Sequence, residues 1–160
     1  MQLNGQEEFD RPPAELWPSL SNPRFLCECF PGVDHVVRAD DRSAALVVRP
    51  GFSFVRGTLE VTFEFLETNP TTSARVDVQL KGIGSSGRFE ARFELARTAA
   101  GSIVRWSVTI AQLGGLLKAV SQGLLQAAAA KVAADTWTEV RRRLAGRVER
   151  ERTTDAENPS

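Results

Sequence analysis

The fold turns on one stretch, Val104-Arg105-Trp106-Ser107-Val108-Thr109-Ile110-Ala111-Gln112-Leu113-Gly114-Gly115-Leu116-Leu117. Val104, Trp106, Val108 and Ile110 alternate with polar neighbours, which is the period of a strand with one buried face. At Leu113-Gly114-Gly115 the period changes from two to about 3.6, and a helix-forming stretch continues to about Arg150. Several alternating strands precede it. One long helix after a run of antiparallel strands predicts a curved sheet closed by that helix. Such a fold can keep an apolar space between the two layers, so the expected task is to hold a greasy molecule.

Working outward, Arg88 to Arg97 alternates most cleanly, with Phe89, Ala91, Phe93 and Leu95 inward and Arg88, Glu90, Arg92 and Glu94 to water. Thr58 to Leu66, Ala74 to Lys81 and Ser102 to Ala111 read the same way, and Val33 to Ala39 and Ser43 to Arg49 flank the polar turn Asp40-Asp41-Arg42. Gln2 to Asp10 reads as a first strand, stopped by Arg11-Pro12-Pro13. Two short helices follow, one from Pro13 and one from Asn22-Pro23 to Cys29, with Asn22 as N-cap and Pro23 at the first helical position. The connections are short, so antiparallel hairpins are expected. One domain over residues 1–150 and a polar, frayed tail over 151–160 complete the expected organisation.

In the long helix two apolar stripes are out of line. Leu113, Leu116, Leu117, Val120 and Leu124 form one; Ala133, Trp137, Val140, Leu144 and Val148 form the other. Either the helix bends near Gly123, or its buried side changes as it crosses the sheet.

Bulk properties narrow the function classes. A chain of 160 residues buries roughly 70% of its unfolded surface, enough for a core without staples. Formal net charge is zero, against the basic excess that nucleic-acid binding needs. Met1-Gln2-Leu3-Asn4-Gly5 is polar with no apolar run behind it, and Lys118, Gln122, Gln126 and Lys131 interrupt the greasiest region, so a soluble cytoplasmic protein is expected. Cys27 and Cys29 are placed badly for a disulfide, and with one histidine, His35, no metal-ligand set is expected.

Gly82-Ile83-Gly84-Ser85-Ser86-Gly87 matches G-x-G-x-x-G after a strand. A dinucleotide site requires a helix to follow, and here a strand follows, so a loose hairpin with a bulge is expected. Nucleophilic catalysis needs a base beside a Ser or Cys. His35 sits on a short strand, there is no tyrosine, and Glu60, Glu64, Glu90 and Glu94 alternate onto polar faces, so no catalytic residue is assigned. The expected ligand-lining residues are Phe52, Phe54, Phe63, Phe89, Phe93, Trp106, Leu117, Val120 and Leu124, with Phe52 and Phe54 at the cavity mouth between Gly51 and Gly57. Arginines crowd the end of the helix. They complement its dipole and pair with Glu139, Glu149 and Glu151, and Arg142, Arg143 and Arg147 are the candidate partner contact.

Leu3-x-Gly5, Phe9, Pro12-Pro13-Ala14-Glu15-Leu16-Trp17, Asn22-Pro23 and Cys29-Phe30-Pro31-Gly32-Val33 resemble the opening of the carbon monoxide dehydrogenase G-subunit (CoxG-like) family. Arg56-Gly57, Gly82-x-Gly84-x-x-Gly87 and Leu113-Gly114-Gly115 extend the resemblance to about residues 1 to 145. That family is similar to the START/Bet v 1-like (SRPBCC) superfamily. The resemblance implies an α+β helix-grip fold: a curved seven-stranded antiparallel sheet wrapped around a long C-terminal helix, with two short helices after the first strand. It implies a non-enzymatic lipid or quinone carrier without a cofactor, accessory to a molybdenum-containing carbon monoxide dehydrogenase-type enzyme. The alternatives are an interaction module for assembly or membrane recruitment of that molybdo-flavin dehydrogenase, and a polyketide-type cyclase or hydrolase. Members that anchor to membranes carry an extended apolar C-terminal tail. Thr153-Thr154-Asp155-Ala156-Glu157-Asn158-Pro159-Ser160 is polar, so membrane contact is expected to be peripheral at most.

Overall fold

The computed structural model describes residues 2–51 and 56–157, the last of these (147–157) by backbone alone. The strands are β1 (Gln2–Phe9), β2 (Val33–Ala39), β3 (Ser43–Val48), β4 (Leu59–Asn69), β5 (Ser73–Gly82), β6 (Ser85–Arg97) and β7 (Ser102–Gly115). They form one antiparallel sheet of seven, ordered β1-β7-β6-β5-β4-β3-β2. Two short helices, α1 (Pro13–Leu20) and α2 (Pro23–Cys29), connect the two edge strands. The long helix α3 (Gln122–Glu157) closes the grip.

Local chemistry explains the boundaries. Asn22 accepts a hydrogen bond from the Arg24 amide at 3.0 Å, satisfying one of the free donors at the start of α2. Pro13 and Pro23 occupy first-turn positions, where a missing N–H costs nothing. Inward residues of the sheet meet α1 and α2 in a core that includes Leu16, Leu20, Phe25, Cys27, Cys29, Leu46, Val61 and Val104.

The hairpin between β5 and β6 is tight, not loose. Gly82 pairs with Ser85, leaving only Ile83 and Gly84 in the turn, both at positive φ. The bulge lies further along β6, where the register with β7 shifts between Arg88 and Phe89.

The long helix also begins later than periodicity suggests. Leu113, Gly114 and Gly115 continue β7, paired with Gly87, Ser86 and Ser85. Gly115 has φ +60, and a Cβ there would collide with the carbonyl oxygen of Gly84. Glycine therefore lets β7 run on beneath the hairpin tip, where a side chain would stop it. Leu116–Ala119 then makes a single 3-10 turn, Val120 is extended, and α3 starts at Gln122. The two apolar stripes are out of line because most of the first is not α-helix: strand and turn residues do not share the phase of α3. Lys131, on the projected line of that stripe, is exposed and paired with Asp135 at 2.9 Å. At the far end, the backbone of α3 runs on past Arg150 to Glu157.

Candidate functional site

The sheet and α3 meet unevenly. From Trp137 onward they are in contact: Val140 is 1% exposed and Leu144 3%. The Phe9 ring lies 6.3 Å from that of Trp137, and the Arg141 guanidinium covers Phe9 at 4.3 Å. Polar ties reinforce this end. Arg141 donates to the Glu8 carbonyl and to the Glu7 carboxylate, each at 2.8 Å. Arg11 donates to the Leu144 carbonyl at 2.8 Å, and Arg143 reaches Glu28 of α2 at 3.2 Å.

Toward the start of the helix the layers part around a cavity of about 310 Å³, with Trp137 and Val140 at its closed end. Its floor is the inner face of the sheet, including Leu3, Val61, Phe63, Val76, Val78, Phe89, Ala91, Phe93, Trp106 and Val108. Leu20, Leu26 and Phe30 reach it from the α1–α2 side, and Leu113 and Leu117 from the approach to α3. The helix contributes Leu125, Ala128, Ala129, Val132, Ala133, Thr136, Trp137 and Val140, spaced three and four apart on one face. Alanines stand where a closed grip would carry leucines. The cavity exists because these side chains end short of the sheet.

Its chemistry is almost wholly apolar. Arg92 and Ser107 on the wall pair with each other in register at outward-facing positions of the sheet. The Thr136 hydroxyl donates to the Val132 carbonyl at 2.7 Å. Trp106 Nε1 is the one buried side-chain polar atom without a hydrogen-bond partner among the described residues.

The titrating groups that shift lie elsewhere. Burial pushes the Cys27 thiol up to about 11 and the Cys29 thiol up to about 12, and both are free. On the outer face of the sheet, burial opposes the charge of Asp77. Hydrogen bonds from Gln79 and Arg88 outweigh it and hold its carboxyl below the ordinary value. His35 is exposed and sits 3.0 Å from Asp34. Among the described residues, no group of three His, Cys, Asp or Glu side chains is placed to hold a metal ion.

Of the residues singled out from sequence, Phe63, Phe89, Phe93, Trp106 and Leu117 lie together on the wall. Leu124 does not: it is 46% exposed, because a helix starting at Gln122 turns Leu125 inward instead. Val120 packs against the core but is not part of the wall, since the chain is extended there. Phe52 and Phe54 lie outside the described residues. Arg142 is 2.5 Å from Glu139, Arg143 links Glu139 to Glu28, and the Arg147 side chain lies outside the described residues.

Sequence reasoning missed the alanines of α3. Residues 127–130 are four alanines in a row, so no polar mark reveals which of them face inward. Only the adjacent Leu125, once the helix start is known, sets the phase.

Among the described residues, no helix is long and apolar enough to cross a membrane. No curated protein matches the sequence. Solved structures do match the fold. A conserved protein from Geobacillus kaustophilus superposes with TM-score 0.81 at 18% identity, over 91% of this chain and 96% of the other. A Mycobacterium smegmatis protein gives TM-score 0.65 at 15% identity over 91% of each chain. An AHSA1 protein from Silicibacter pomeroyi gives 0.64 at 13% identity, over 91% of this chain and 98% of the other. At such identities the likeness is one of fold, the helix-grip architecture described above. The family match is in sequence: the carbon monoxide dehydrogenase G-subunit family (CoxG) covers residues 5–145. With its sheet, its glycines at 114 and 115 and its closing helix all represented in that span, this chain belongs to the CoxG family, and family and fold together fit a ligand-binding or accessory role.

Proposed function

We propose that this protein is a non-enzymatic carrier of an apolar small molecule, a lipid or a quinone, accessory to a carbon monoxide dehydrogenase-type molybdenum enzyme. The cavity carries the reading. Its volume of about 310 Å³ is at the lower end of the range for small-molecule sites, and its wall is apolar. Each methylene moved from water into such a space contributes about 0.8 kcal/mol, so ten contribute roughly 8 kcal/mol before the cost of immobilisation. Phe63, Phe89, Phe93, Trp106 and Leu117 form the binding wall. Apolar walls bind firmly and discriminate weakly between chains that differ by a methylene. The family to which the chain belongs points to the enzyme partner.

The test is to fill the space. In Ala129→Leu/Ala133→Leu both substitutions point into the cavity on a helix that tolerates leucine well. Uptake of an apolar fluorescent probe should fall at least tenfold while the circular dichroism spectrum is unchanged. Undiminished uptake would place the binding elsewhere. Solvent extraction of protein purified from its native host, read by mass spectrometry, should return a lipid or quinone from the wild type and much less from the filled variant.

A further inference from the structure

Large apolar side chains left in water are unevenly distributed on this molecule. Among the described residues they are Val37, Leu66, Ile83, Leu116 and Leu124. Val37 lies on the edge strand β2 and Leu66 on β4, and neither is next in sequence to a residue of the cavity wall. The other three belong to the β5–β6 hairpin tip, the turn after β7 and the first turn of α3. Leu116, 61% exposed, donates its amide hydrogen to the Gly84 carbonyl at 3.0 Å. Its side chain lies over Gly84, where an added Cβ would be 3.8 Å from Cγ. Ile83 packs against Gly57, where an added Cβ would be 3.3 Å from Cδ1.

Two of these residues adjoin the wall directly. Leu116 and Leu117 are consecutive, as are Leu124 and Leu125, and in each pair the first is in water and the second on the cavity wall. Apolar side chains therefore lead from solvent into the chamber where β7 passes to α3. Exposed apolar groups collected in one place mark a surface that meets apolar matter. The opposite end offers no such path. Trp137, the one aromatic residue of α3, is braced by Phe9 at 6.3 Å and Trp106 at 6.5 Å. Around it Arg141, Arg11 and Arg143 tie the helix to the rest of the fold. Leu125 precedes Trp137 by twelve residues, about 18 Å along the helix axis.

We infer that the chamber is blind at Trp137 and is filled and emptied at the hairpin corner, with Ile83, Leu116 and Leu124 as the rim over which an apolar molecule passes. The inference rests on the carrier reading and adds a route to it. A molecule moving along leucine and isoleucine side chains keeps part of its surface out of water at every stage, which lowers the barrier to exchange there. The route also sets an orientation. Taking a polar group to the blind end would strip its water without replacing it, so the most apolar end goes in first. A polar group, where the cargo has one, stays at the rim, near Lys118 on the exposed side of the same turn.

The test is to obstruct the rim. Leu116→Cys and Leu124→Cys, and Val37→Cys and Leu66→Cys as references away from the corner, are each joined to biotin-maleimide and capped with streptavidin. All four positions are exposed, so the fold is not at stake, and the native thiols do not compete, Cys27 being 0% and Cys29 1% exposed. Exchange of N-phenyl-1-naphthylamine is followed by stopped-flow fluorescence. Streptavidin at the rim should slow uptake and release together by about tenfold or more and leave the equilibrium affinity within about twofold, because an obstacle outside the chamber does not alter the bound state. Streptavidin at the two reference positions should change neither rate. Unslowed exchange with the rim capped, or equal slowing at all four positions, overturns the corner as the route and leaves the carrier reading standing. No uptake by the unmodified protein overturns both.

Discussion

The two halves of α3 cross the same sheet and do opposite things. Over 137–146 the helix presents Trp137, Val140 and Leu144, and arginines tie it to β1, α2 and the β1–α1 connection. Over 122–136 it presents Leu125 and alanines, and the side-chain hydrogen bonds of its described residues stay within the helix and the turn that starts it. One half is a core and the other is the roof of a chamber. What separates them is side-chain size on a single face, with the backbone regular throughout. Packing and cavity volume are therefore decided along one line of side chains, and each half can be perturbed while the other is watched.

The largest contrast should come from paired truncations. Leu144→Ala, at a position 3% exposed in the closed half, should cost about 3 kcal/mol or more in urea unfolding. Leu125→Ala removes the same atoms from a wall that already faces empty space, and should cost about 1 kcal/mol. Equal costs would mean that the halves are not energetically distinct.

Next in size is alkaline pH, which acts through α2 on the closed side. The folded thiols of Cys27 and Cys29 are raised above their ordinary value of 9.0, to about 11 and about 12. Between pH 9 and 11 the unfolded chain therefore releases protons that the folded chain keeps, and stability falls as pH rises. Two thiols at about 1.4 kcal/mol per unit give a loss of roughly 2–3 kcal/mol between pH 8 and pH 10. The chain has no tyrosine to confuse the transition. Cys27→Ala/Cys29→Ala should flatten the profile over this range; an unchanged slope would refute the assignment.

The filled variant Ala129→Leu/Ala133→Leu should gain about 1 kcal/mol as it loses uptake, since it extends the closed half into the open one. A large loss of stability instead would show the chamber to be too rigid to fill. The smallest effect belongs to Arg143. Its pairs with Glu28 and Glu139 are about a third exposed, so Arg143→Ala should cost under about 1 kcal/mol, and less in high salt.

The strands were legible because their alternation is independent of tertiary detail. Phe89, Phe93 and Trp106 face inward whichever way the sheet curves, and the two short helices carry their own start signals at Pro13 and Asn22. All seven strands stand in the residue pattern, and the family likeness implies the same number. The helix start was not legible, because Leu113 to Leu117 fits either period and the choice is made by a remote contact, the Gly84 carbonyl beside Gly115. That error propagated into the site: a wrong phase selects Leu124 over Leu125. The closing ion pairs to Glu7 and Glu28 were equally hidden, since they join residues more than a hundred positions apart. Local patterns reveal the layers; the fit between layers is non-local.

The alanine face has an evolutionary corollary. Capacity is written on one rod, at positions that take part in no strand pairing and no polar tie. Single substitutions at 128, 129 or 133 would enlarge or shrink the chamber while the hairpin registers and the family's recognisable motifs stayed as they are. Proteins that share this architecture at 18% identity or less show how far side chains can change while the shape is kept.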